Sequence, residues 1–149
     1  MELLRGQPAI AAVRETVDGT SPLAAICIDP DARRGQPLRI VAIASPHRAV
    51  LIDAQQTPTL GETLSQLCPL GAHEAKTVQR ALLNAYEATL PRWACISLCE
   101  QLLAGGRDVD MSLGAIGQRY LQMQPPALDG GFEAMGAHTQ ALAGIIAAQ

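Results

Sequence analysis

The run Leu23-Ala-Ala-Ile-Cys-Ile-Asp29 is apolar at every position until the last, which is a carboxylate. Nothing along it alternates, so the strand it forms must be buried on both faces. Such a strand lies in the middle of a sheet that helices cover on either side. Leu38–Ala44 and Ala49–Asp53 read as the next two strands, joined by Ser45-Pro46-His47. A connection this short pairs them antiparallel. Leu70–His73 is a fourth, short strand, and Trp93–Ile96 a brief extended piece.

Helical spacing accounts for most of the rest. Residues 7–17 place Ile10, Val13 and Val17 on one stripe. Thr59 opens a helix to Leu67, with Glu62 as its capping-box partner. Further helices are expected over Glu74–Glu87, from Ile96 to Gly105-Gly106, from Asp110 or Ser112 to Tyr120, and over Glu133–Ala148. Residues 18–22, 30–37 and 124–131 are rich in Pro and Gly and read as loops, and Pro91 breaks the pattern. No internal repeat or linker divides the chain. Residues 1–149 read as a single α/β domain of three layers, α/β/α, on a mixed sheet. The first three strands are antiparallel, and the fourth runs parallel to the first.

Composition narrows the function. Aromatic residues make up only 3% of the 149 positions, so the core is aliphatic. The formal net charge is −3, which argues against a free-standing, tight, non-specific binder of nucleic acid. No stretch before residue 20 reads as a secretory leader, and no apolar run is long enough to span a bilayer. The four cysteines, Cys27, Cys68, Cys95 and Cys99, fit small buried hydrophobes in a reducing, cytoplasmic protein without membrane contact.

Four segments carry a family likeness: Leu23–Asp29, Gly71-Ala-His-Glu-Ala-Lys-Thr-Val78, Cys95-Ile-Ser-Leu-Cys-Glu-Gln-Leu-Leu103 and Ser112-Leu-Gly-Ala-Ile-Gly-Gln-Arg-Tyr-Leu121. In order and pattern the chain resembles the DEDD 3′–5′ exonucleases, such as ribonuclease D and the proofreading domain of family-A DNA polymerases. The resemblance implies a ribonuclease H-like fold. In that family four acids hold two metal ions, which clamp the attacking and leaving oxygens. Magnesium selects oxygen ligands, so the acids cannot be exchanged freely.

The same resemblance implies that those acids have mostly been lost. Cys27-Ile28-Asp29 falls on the first motif, Asp-x-Glu, so a thiol replaces the first acid and Asp29 the second. Glu74 falls on the Asn of the second motif and Val78 on its Asp. Met135 and Thr139 fall on the Tyr and Asp of the third. The catalytic positions Cys27, Asp29, Glu74, Val78, Met135 and Thr139 are therefore degenerate, and no metal or other cofactor is expected. The implied function is that of a pseudo-exonuclease, a structural or protein-interaction module in a DNA- or RNA-processing assembly. A weakly active exonuclease with a displaced site stays open, with Asp31 and Glu74 as stand-in ligands and Mg²⁺ or Mn²⁺ as its cofactor. So does a non-cleaving nucleic-acid-binding module.

Other groupings are weaker. Cys95 and Cys99 share one helix face and, with Cys68 and His73, allow a zinc set of unspecific spacing. His47, His73 and His138 are scattered; His47 reads as a turn residue and His73 as the end of a strand at the old cleft. Arg33 and Arg34, with Arg39 and Arg48 nearby, are candidates for nucleic-acid or partner contact, or else a solvated edge. After Glu133 no formal charge occurs up to Gln149. A helix this poor in charge has little with which to solvate a second face. A protein partner or a homodimer contact through this last helix is therefore expected.

Overall fold

A computed structural model describes residues 1–17, 24–67, 69–89 and 92–149. The elements run β1 (Leu3–Leu4), α1 (Gly6–Val17), β2 (Ala24–Ile28), α2 (Pro30–Arg33), β3 (Ile40–Ser45), β4 (Arg48–Asp53), α3 (Leu60–Gln66), β5 (Leu70–Ala72), α4 (Ala75–Tyr86), β6 (Trp93–Cys95), α5 (Ile96–Ala104), α6 (Leu113–Leu121) and α7 (Gly131–Ala148). The turn expected at residues 18–22, Leu23, Cys68 and Pro91 lie outside the described residues.

The strands form one sheet in the order β1-β4-β3-β2-β5-β6. β2 pairs antiparallel with β3, and β3 with β4, while β5 runs parallel to β2. This is the mixed sheet expected from the sequence. Two pairings go beyond it: β1 lies parallel to β4, and β6 parallel to β5. Both added strands are two or three residues long, too short to show a period.

β2 is buried at all five positions and feeds two cores by alternation. Ala24, Ile26 and Ile28 join α1, α3 and α4 on one face through Val13, Leu60, Leu64 and Leu82. Ala25 and Cys27 join α5, α6 and α7 on the other through Ile96, Ile116, Leu142 and Ile145. Three layers result.

α7 crosses the second face. Met135, Thr139, Leu142, Ala143, Ile145 and Ile146 are among its buried residues. Nine of its eighteen residues are thus buried within its own domain. Gly71 in β5 permits the approach, because a Cβ there would overlap the end of the Ile146 side chain.

Two local expectations fail. Residues 30–33, read as loop, form the short helix α2. Asp29 caps it and Pro30 takes its first turn, a start signal that outweighs the Pro and Gly further on. Thr59 stands at the N-cap of α3, yet its side chain makes no capping bond, so the capping box does not form.

Candidate functional site

The strand directions gather chemistry at one sheet edge. β4, β5 and β6 all run parallel to β2, directly or through β3. Asp29, Asp53, His73-Glu74 and Cys95 therefore lie at carboxyl ends, where open α/β sheets place their ligands.

Asp29 is 6% exposed. One carboxylate oxygen accepts the amide of Ala32 at 3.0 Å, capping α2. The other accepts the amides of Arg39 and Ile40, each at 3.0 Å. Both oxygens are thus held by backbone donors of the protein itself. In the return direction, the Asp29 amide donates to the Ile40 carbonyl at 3.1 Å.

The remaining motif positions supply no comparable ligand. Cys27 is buried, and desolvation pushes its thiol up to about 11 against the pull of Arg33. Glu74 accepts a hydrogen bond from the Arg33 guanidinium at 2.7 Å, joining the start of α4 to α2. Val78 is 2% exposed and packs in the core shared with α1 and α3. Met135 packs with Cys27 in the core on the opposite sheet face. The Thr139 hydroxyl donates back to the Met135 carbonyl at 2.7 Å, an ordinary helical bond. Cys27 and Met135 thus share a core, and Val78 belongs to another.

Of the histidines that looked scattered, His73 is half-buried and His138 buried. His138 is 5% exposed, and its Nδ1 lies 2.6 Å from the Pro126 carbonyl. Burial lowers its pKa; the Pro126 bond opposes this, and Arg33 and His73 reinforce it. Burial likewise lowers the His73 pKa, against Glu74 and a backbone bond to Met111. The Arg33 charge therefore acts on both His73 and His138. Sequence offered no signal for this, since it depends on how α7 crosses β2.

A cleft of about 440 Å³ opens between α2 and the start of α7, lined by Asp29, Asp31, Arg34, Arg39, Asp53, Asp129 and Phe132 among others. Arg34 pairs with Asp31 at 3.5 Å and Asp53 with Arg5 at 3.4 Å. Arg48 pairs with Glu15 at 2.9 Å, away from this cleft. Acids outnumber arginines on its walls, so its field does not favour phosphate.

These residues do not fit a pair of magnesium ions. Burial disfavours the Cys27 thiolate, Asp29 has three of its four or so lone-pair sites on backbone amides, Glu74 is ion-paired, and valine and methionine offer no oxygen. Among the described residues no three His, Cys, Asp or Glu side chains are grouped to hold a metal, the zinc set included. Cys68 lies outside them.

No family profile and no curated protein matches the sequence. Solved structures do match. The POL domain of Pol1 from M. smegmatis, in complex with DNA primer-template and dNTP, superposes with a TM-score of 0.76 at 19% identity, over 98% of this chain and 26% of that one. Brucella melitensis NrnC bound to pGG gives 0.71 at 15% identity, over 99% and 80%. Escherichia coli RNase D, an exoribonuclease involved in structured RNA processing, gives 0.68 at 12% identity, over 97% and 42%. This chain therefore spans under half of the Pol1 and RNase D chains. At such identities the likeness concerns the backbone, and on that ground the chain has the ribonuclease H-like fold of the DEDD 3′–5′ exonucleases.

Proposed function

We propose that this chain is a catalytically silent exonuclease-like domain that serves as a structural or protein-interaction module in a DNA- or RNA-processing assembly. One observation carries the reading. The single acid left at the first motif has both oxygens tied to backbone amides, at 3.0 Å each. Three of the four or so lone-pair sites of this carboxylate are committed to backbone amides, so Asp29 alone offers an ion at most one, where a two-metal site needs several carboxylate oxygens. The free thiols of Cys27, Cys95 and Cys99 fit a reducing compartment such as the cytoplasm. No helix among the described residues is long and apolar enough to cross a membrane.

The rival is an active exonuclease. Its support is that B. melitensis NrnC is known with bound Mg²⁺ and with pGG. A single-stranded 3′-end trimming assay with Mg²⁺ and with Mn²⁺ separates the two. The silent-domain reading expects no hydrolysis and no metal-dependent rise in Tm. Divalent-dependent trimming that is lost in Glu74→Gln would replace it with the rival.

A further inference from the structure

A cleft of about 750 Å³ opens between α4 and the loops that follow α2 and β4. This is the volume of a small-ligand site. None of the positions that fall on the exonuclease motifs lines it. Its floor is apolar and buried, built from Ala32, Leu38 and Ala54. Pro37 and Pro58 line the loop side, and Tyr86 lines the α4 side. The Tyr86 hydroxyl donates to the Ala54 carbonyl at 2.8 Å, which fixes the ring in the wall. Burial, with the Asp53 charge beside it, holds this phenol up at about 12, so the wall stays uncharged. Two opposite charges also line the cleft, Arg80 on α4 and Glu87 at its C-cap. Both are exposed, and among the described residues neither forms an ion pair. Along the helix they stand about 10 Å apart at 1.5 Å per residue. Asn84 lies between them on the same wall, and its carboxamide both donates and accepts.

We propose that this cleft binds a nucleoside monophosphate. An unpaired guanidinium takes a phosphate bidentately. A carboxylate takes only donors, which the N–H edge of a nucleobase supplies and a phosphate does not. A nucleotide carries the two groups at opposite ends of one molecule, as the cleft does. Between them it carries a flat ring, whose faces suit an apolar floor beside a fixed aromatic side chain. A bare anion would use Arg80 and leave the floor and Glu87 idle. A zwitterionic peptide would satisfy both charges but bring no ring to Tyr86.

This site goes beyond the silent-domain reading and is independent of it, since no bond is broken there and no metal is needed. The test is calorimetric titration of the full chain with guanosine monophosphate in EDTA. Guanine offers two adjacent N–H donors to one carboxylate, which makes it the fitting probe for Glu87. Binding is expected with Kd between about 10 μM and about 1 mM. Arg80→Ala should weaken the nucleotide about tenfold or more and leave guanosine unchanged, because only the phosphate meets the guanidinium. Glu87→Ala should weaken nucleotide and guanosine alike. Both side chains are exposed, so far-UV circular dichroism should not change. Arg14→Ala, the same charge change on α1, should leave the affinity as it is. No binding up to about 5 mM overturns the proposal. So does inorganic phosphate that competes as well as the nucleotide, and so does binding that neither Arg80→Ala nor Glu87→Ala weakens.

Discussion

Asp29 and Ile40 are joined twice. The Asp29 amide donates to the Ile40 carbonyl at 3.1 Å, and the Asp29 carboxylate accepts the Ile40 amide at 3.0 Å. The side chain stands where a backbone carbonyl would continue the antiparallel ladder between β2 and β3. Asp29 is thereby a structural joint between β2 and β3.

Asp29→Ala should accordingly cost stability. It removes a helix cap and orphans the amides of Arg39 and Ile40, for an expected loss of about 2–4 kcal/mol. Urea unfolding with an unchanged m-value measures it. A loss under 0.5 kcal/mol would show that these bonds are dispensable.

An acid placed at Val78 should not create a metal site. Val78 is 2% exposed among aliphatic neighbours, so Val78→Asp buries an unpaired carboxylate. The expected cost is on the order of 4 kcal/mol, with no hydrolysis gained in Mg²⁺. Wild-type stability in Val78→Asp would mean that water reaches this position.

Gly61 is required for packing rather than for its backbone angle. A Cβ there would fall 2.5 Å from Cβ of Tyr86 and 2.9 Å from its Cγ, neither a flexible end. The Tyr86 hydroxyl is anchored to the Ala54 carbonyl at 2.8 Å, so the ring cannot move aside freely. Gly61→Ala should destabilise by about 1–3 kcal/mol, read from thermal unfolding.

Acid should loosen the fold through His138 and His73. Both have folded pKa values below 6.5, so the unfolded chain binds more protons. Their contribution is complete above 6.5 and is lost as the pH falls through the folded values. His138→Gln keeps a donor for Pro126 and should flatten this dependence in a pH series of urea midpoints, leaving the share due to His73.

The thiols should react in a fixed order. Burial holds Cys27 up at about 11. At Cys95 burial also raises the pKa, but bonds from Ser97 and from the Leu98 and Ala75 backbone outweigh it and the net shift is downward. Iodoacetamide on the native protein, followed by peptide mapping, should label Cys95 well before Cys27. Equal rates would mean that the β2 core opens faster than the reagent acts.

Sequence determined the parts that repeat a local pattern. The unbroken apolar run ending at Ile28 marked a strand buried on both faces, and the short turn at Pro46-His47 made the next two strands an antiparallel pair. Helical spacing placed α1, α4, α6 and α7 within a residue or two, because an amphipathic period is written into consecutive side chains. The order of these elements was enough to suggest the fold, and the Asp29-Pro30 pair already contained the start of α2. Tertiary structure alone decided the rest. β1 and β6 exist because neighbouring strands offer hydrogen bonds to segments too short to show a period. The oxygens of Asp29 are engaged because β3 returns beside β2 and brings the amides of Arg39 and Ile40. α5 turns its leucines outward because Arg119 and Gln149, distant in sequence, hold Glu100 inside. Contacts between remote residues leave no periodic trace along a chain, so they become visible only when the chain is folded.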